Sequence, residues 1–407
     1  MLNNILKYGF GELLSKLLPF FTILFVANRF SPSELGEYSL YIIYYEIFFI
    51  LISYNIQATV RVDFFKKNIL AVYSISRMHL TASLAVCIFI ASFAFIFLGF
   101  PDNFFFPLLA VSALLRAFTS FVLAILQCEE KVSQYTFLNI IYIIPVSLGI
   151  CLLVYMGGKA ESWAYSALFA SMIQFVVATQ LVKFDWKPEV SIKKFREDEI
   201  IKHFIFASSF FPQAIGWWLK LAGDRYLISK FIGLEILGQF TLAAQIASPI
   251  LIAARVLNLA TIPRINACYS KGKWEQSSKY LKMLSGTSFI VILLVYLVGC
   301  FMLKDIYGGK YTQAGNYFPL ICISYIPQTL LLLYVNPLYY FGLSRLVALS
   351  TLVSFSMQFV LGLFLVKPFG VIGLIYLSLI INSFLFIFIL FQFNKIKSEV
   401  LVRENLR

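Results

Sequence analysis

Charge is what this sequence has least of: Asp, Glu, Lys and Arg make up 13% of its 407 residues, against 60% hydrophobic ones. With a mean hydropathy of +0.84, the chain carries more apolar surface than a water-soluble core of this size could hide. A soluble globular domain is excluded, and the chain is an integral membrane protein. Histidine is scarcer still. The two residues, His79 and His203, stand far apart beside other basic groups, which makes a poor metal site and reads as a pair of interfacial side chains. The six cysteines, Cys87, Cys128, Cys151, Cys268, Cys300 and Cys322, lack metal-ligand or disulfide-framework spacing and read as small apolar filler. No GxxxxGK[ST] phosphate loop occurs, so transport driven by nucleotide binding to this chain is disfavoured. Short alternating segments with regular turn signals are missing too, which excludes a β-barrel. The start, MLNNILKYGFGELLSKLL, has no secretory cleavage pattern, so the first apolar segment is expected to remain.

What is present is a series of apolar runs, each of roughly 20 residues, the length that crosses about 30 Å of hydrocarbon as helix. About twelve are expected, near 9–29, 37–58, 79–99, 104–126, 136–156, 162–182, 203–228, 236–259, 284–303, 315–336, 345–366 and 370–392. The fold class is therefore an all-α polytopic membrane protein. Of the 33 Lys and Arg, 22 fall in one set of breaks between runs, six in the other and five inside runs. The rich side is cytoplasmic by the positive-inside rule, which with an even number of crossings puts both termini in the cytoplasm. A net charge of +13 could suggest nucleic acid, but the bases are spread over separate segments without a binding fold. Topology and anionic lipid headgroups account for it, and no nucleic-acid partner is expected.

An internal repeat organises the chain. LGEYSL at 35–40 returns as LGQFTL at 237–242, and ATVR at 58–61 returns as ATIPR at 260–264, with equal spacing from each Gly. Two six-helix lobes are expected, 1–190 and 195–407, joined by the basic segment 183–203, KFDWKPEVSIKKFREDEIIKH. Parallel repeats of this kind suit a transporter whose halves rock around a central cavity.

Charged residues inside apolar helices cost about 2.5–3.5 kcal/mol each at the bilayer centre, so they need a reason. The runs hold the bases Lys16, Arg116, Lys220, Arg225 and Arg255 against the acids Glu12, Glu46 and Asp224. Glu12 and Lys16 lie four apart, as do Lys220 and Asp224, so each couple shares one helix face. Lys220, Asp224 and Arg225 stand toward the outer end of their run, where facing a hydrated vestibule and anchoring at the interface are equally open readings. The surplus of cations suits an anionic cargo, with phosphate the natural candidate. Prolines within the runs favour bends that alternating access could use, or static kinks.

With these features in hand, the sequence resembles the polysaccharide transport branch of the multidrug/oligosaccharidyl-lipid/polysaccharide exporter (MOP) superfamily, and most closely Wzx-type O-antigen flippases. The resemblance rests on KYGFGELLSKLLPFFTILFVANRFSPSELGEYSLY (7–41), GDRYLISKFIGLEILGQFTLAAQIA (223–247) and IYGGKYTQAGNYFPLI (306–321). It implies a two-lobed fold opening alternately to either side, and a cationic cavity for an undecaprenyl-diphosphate-linked oligosaccharide moved from the cytoplasmic to the periplasmic leaflet of the inner membrane. Lys16, Arg116, Lys220 and Arg225 would bind that substrate. Glu12, Glu46 or Asp224 could carry H+ or Na+, and no other cofactor or metal is implied. Membrane lipids, and polymerase and chain-length proteins of the same pathway, are the implied partners. A polymerase or ligase of that pathway resembles its kin in having a large periplasmic loop, whereas the longest outer break here, near 304–315, is about a dozen residues. A multidrug exporter or another lipid-linked-precursor exporter of the superfamily remains open.

Overall fold

A computed structural model describes residues 2–66, 69–97, 105–182, 197–307 and 309–405, and these are helical with no strand among them. The helices are α1 (Leu2–Arg29), α2 (Pro32–Ser53), α3 (Ile56–Lys66), α4 (Ile69–Phe97), α5 (Phe105–Cys128), α6 (Val132–Tyr155), α7 (Ser162–Val182), α8 (Glu197–Ser208), α9 (Phe211–Phe231), α10 (Leu234–Ala247), α11 (Pro249–Ser270), α12 (Trp274–Phe301), α13 (Ala314–Tyr340) and α14 (Ser344–Asn405). A π-helical turn, Met302–Ile306, extends α12.

Among the described residues nine helical stretches are long and apolar enough to cross a membrane. Ten of the expected twelve spans fall within them, because 345–366 and 370–392 share the stretch Ser344–Ser398, which breaks at Gly370 (φ 59°). The expected span 203–228 lies instead on α8 and α9, outside those nine, while 9–29 lies on α1, whose side chains before Lys16 are outside the described ones. The outer faces are apolar, as a surface meeting lipid requires: Phe364, Phe384 and Phe391 are each more than 60% exposed.

Local sequence explains the sharp corners. Ser31 and Glu34 form a capping box at the start of α2: Glu34 Oε2 accepts from the Ser31 N–H at 2.8 Å and from its hydroxyl at 2.9 Å, while Pro32 takes the first helical position. The expected run 37–58 is interrupted. Tyr54 and Asn55 both take positive φ (43° and 57°), so α2 stops at Ser53 and α3 starts afresh at Ile56.

The chain divides into two compact units, one of Met1–Phe30 and Glu37–Trp218, the other of Ser31–Gly36 and Leu219–Arg407. In the first unit α5 is buried along most of its length, with α3, α4, α6 and α7 packed on it; Ala110, Ala113, Ala117 and Ala124 let those helices approach closely. In the second unit α13 has the central place among α10, α11, α12 and α14. Of the segment expected to link the lobes, 183–196 lies outside the described residues, and the remainder begins α8, which packs on α3 in the first unit.

The repeat motif has a physical role inside the second unit. A Cβ on Gly36 would collide with the carbonyl of Leu234, the first residue of α10, and a Cβ on Gly238 would collide with the carbonyl of Pro32, the first residue of α2. Both the glycines and their partners are 202 residues apart, so the contact is reciprocal. Only glycine permits it, which explains why LG recurs at both places.

Candidate functional site

Each unit holds one cation seated on a glutamine from another helix. In the first, Arg116 of α5 donates from Nη1 to Gln174 Oε1 of α7 at 2.7 Å, and its guanidinium carbon lies 4.1 Å from the Tyr142 ring centre. Gln174 Oε1 also accepts from Thr119 Oγ1 at 3.1 Å, while Gln174 Nε2 donates to the Leu138 carbonyl at 2.9 Å. Gln174 is fully buried, so every polar atom of its amide is used, which also fixes which end is oxygen. Tyr142 in turn donates to the Tyr45 hydroxyl at 3.4 Å. Among the described residues the partners recorded for Arg116 are neutral, so its charge is held without being cancelled.

In the second unit Lys220 of α9 is buried, with 8% of its surface exposed. Its Nζ donates to Gln358 Oε1 at 3.1 Å and to Ser378 Oγ at 2.8 Å, and lies 5.6 Å from the Phe355 ring centre. Gln358 Nε2 then donates to both oxygens of Asp224, at 3.2 and 3.1 Å. Lys220 and Asp224 share a face as their spacing predicts, but Gln358 stands between them and joins them. Beside them lies a cavity of about 80 Å³ lined by Lys220, Asp224, Arg225, Tyr325, Gln328 and Ser378 among others. That is room for a few waters or one small group, and well short of the several hundred cubic ångströms a glycan-sized ligand needs. Arg225 contributes a buried Nε with no hydrogen-bond partner among the described residues, a donor left for whatever enters.

The remaining residues singled out by the sequence lie elsewhere. Lys16 on α1 and Glu46 on α2 are half-buried and each engaged by neighbouring groups. Glu12 falls outside the described side chains. The placement of His79 and His203 at an interface is corrected: they are 0% and 5% exposed, and their rings meet at 3.0 Å between Nδ1 of His79 and Nε2 of His203. Both glutamines were missed as well. The signal was available, because an amide in the middle of an apolar run, as in SMIQFVV or SFSMQFVL, needs a partner as a charge does.

The multi-pass helical fold that holds these two seats is similar to that of solved transporters. It is similar to an inward-facing multidrug resistance MATE family transporter, with a TM-score of 0.70 at 12% identity, covering 97% of this chain and 99% of that one. It is also similar to the lipid II flippase MurJ in an inward closed conformation, with a TM-score of 0.72 at 13% identity over 95% of this chain and 87% of that one. The chain belongs to the polysaccharide biosynthesis protein family, whose model matches residues 1–269. Among curated relatives, a Haemophilus influenzae protein of the Lsg locus is 23% identical across 85% of this chain and 86% of its own length. A Haloferax volcanii protein described as "Probable low-salt glycan biosynthesis flippase Agl15" is 21% identical across 72% of this chain and 62% of its own.

Proposed function

We propose that this chain is a flippase that carries undecaprenyl-diphosphate-linked repeat units, of O-antigen or another polysaccharide, from the cytoplasmic to the periplasmic leaflet of the inner membrane by alternating access. The observation that carries this reading is the seating of Arg116 and Lys220: two cations held on neutral glutamines, with no carboxylate bonded directly to either among the described residues. A diphosphate is the part of a lipid-linked glycan such cations attract, Arg as a forked donor and Lys as a point charge. Lys16 and Arg225 belong to the same set of bases, and Glu12, Glu46 and Asp224 are candidates for coupling to H+ or Na+. The small cavity beside Lys220 takes an ion or a headgroup fragment in this reading, while the glycan travels elsewhere. Membership of the polysaccharide biosynthesis family and the flippases among its relatives and structural neighbours support it. Any polymerase and chain-length partners would act on the product.

The test is deletion of the gene followed by analysis of lipid-linked repeat units. The proposal expects single units to accumulate with their sugars facing the cytoplasm. Single units already facing outward would contradict it and point to a polymerase.

A further inference from the structure

The break between α2 and α3 holds a buried cluster that the proposed transport cycle has not yet used. His79 Nε2 is 3.0 Å from the carbonyl oxygen of Ser53, the last residue of α2; His79 Nδ1 is 3.0 Å from His203 Nε2; and His203 Nδ1 is 3.2 Å from Asp63 Oδ2. Asp63 is 8% exposed and lies on α3, His79 on α4 and His203 on α8, so four segments of the first unit converge on one chain of hydrogen bonds. A second tie runs beside it, between the Tyr54 hydroxyl and Ser208 Oγ at 2.7 Å.

The proton count decides what this chain is. Each of the three bonds needs one proton, and a carbonyl can only accept, so Nε2 of His79 must carry one. Two neutral imidazoles bring two protons in all. The third is an additional one, held either as an imidazolium facing the Asp63 carboxylate or as a carboxylic acid facing two neutral rings. The three side chains together are then neutral. Remove that proton, and two lone pairs face each other across one of the contacts. Losing the proton therefore pushes the cluster apart. The carbonyl end of the broken α2 helix, with its partial negative charge, favours the loaded form.

We propose that Asp63, His79 and His203, closed against the Ser53 carbonyl, form a proton-binding site whose unloading opens the α2–α3 corner and so couples proton movement to transport. The coupling half of this statement rests on the flippase reading, whereas the proton site does not. The other titratable and charged groups with described side chains on the surrounding elements are Tyr54 at the corner, the half-buried Glu46 and the acids and tyrosines before it on α2, the exposed Arg61 on α3, the half-buried Tyr73 and Arg77 and the buried Cys87 on α4, and the exposed Lys202 on α8. Lys66, Glu197, Asp198 and Glu199 lie outside the described side chains, and α9 adds no charge before Lys220.

Asp63→Asn is the decisive variant. An asparagine amide can donate to His203 Nδ1, His203 Nε2 to His79 Nδ1, and His79 Nε2 to Ser53, so all three bonds form with two neutral rings and no extra proton. The variant thus keeps the closed shape and loses the exchangeable charge. Because the chain has only two histidines, labelling with [15N]histidine reports this cluster alone, provided purification avoids a histidine tag. In wild-type protein in lipid nanodiscs, the ring nitrogens of both residues should shift in one common step as pH rises; in Asp63→Asn that step should be lost. Two separate steps in the wild type, or a titration unchanged in the variant, would overturn the site, and the wild-type result decides even if the variant does not fold. In deletion cells carrying either protein, surface polysaccharide is then compared at external pH of about 6 and about 8. Wild type should export severalfold more at the lower pH, and Asp63→Asn should show a ratio near one. A wild type that does not respond, or a variant that responds as wild type does, would overturn the coupling. Failure of the flippase reading would show separately, as deletion cells without cytoplasm-facing lipid-linked units.

Discussion

Arg116 and Lys220 each donate to a glutamine from a distant helix, Gln174 at 2.7 Å and Gln358 at 3.1 Å, yet the far ends of the two amides differ. Gln174 finishes on the Leu138 backbone carbonyl, which neither titrates nor leaves its helix. Gln358 finishes on the Asp224 carboxylate, beside a cavity of about 80 Å³. The first seat is fixed by groups whose charge cannot change. The second passes any change of charge at Asp224 through one amide to Lys220. A rigid seat suits holding an anion, and a responsive one suits releasing it or sensing what has entered the cavity.

The largest effect belongs to the cations themselves. Lys220→Met and Arg116→Met should each leave the protein in the membrane and reduce surface polysaccharide by about tenfold or more, the loss of a charge-assisted interaction worth roughly 1.5–3 kcal/mol. Immunoblots of the membrane fraction beside polysaccharide gels measure both, and near-normal export in both variants would remove the basis for the cation assignment. The glutamines sharpen the contrast. Gln358→Leu and Gln174→Leu each strand buried polar groups, at a cost of about 1–3 kcal/mol, and should lower the thermal midpoint of the purified protein by similar amounts. Export should fall severalfold only in Gln358→Leu and stay within about twofold in Gln174→Leu. The reverse order would break the comparison. Smallest is Ser378→Ala, because Lys220 keeps Gln358 and the Phe355 ring; about 0.5–1.5 kcal/mol of stability is at stake, and export should hardly change.

Much of the architecture was legible in the sequence because it follows from composition and period. Apolar runs of helical length mark most of the membrane stretches, and the LG repeat marks a contact where both backbones touch and a side chain cannot fit. Spacing placed Lys220 and Asp224 on one face. It did not place Gln358 between them, since that residue comes from a helix more than 130 residues away. The histidines show the limit more plainly: each, taken alone at the end of an apolar run, reads as interfacial, and only the packing of α8 against α3 and α4 makes them a buried pair. The break at Tyr54 and Asn55 was equally hidden inside a hydrophobic run, although a left-handed Asn is common enough to have marked the place.

The central claim is that this chain itself moves a lipid-linked glycan between leaflets. Purified protein reconstituted into vesicles whose lipid-linked repeat units start in the inner leaflet tests it most directly, with a membrane-impermeant glycosidase added outside. The account predicts that protein-containing vesicles expose a growing fraction of the sugar to the enzyme while protein-free vesicles do not, and that Lys220→Met or Arg116→Met slows this by about tenfold. Equal exposure with and without the protein would contradict it.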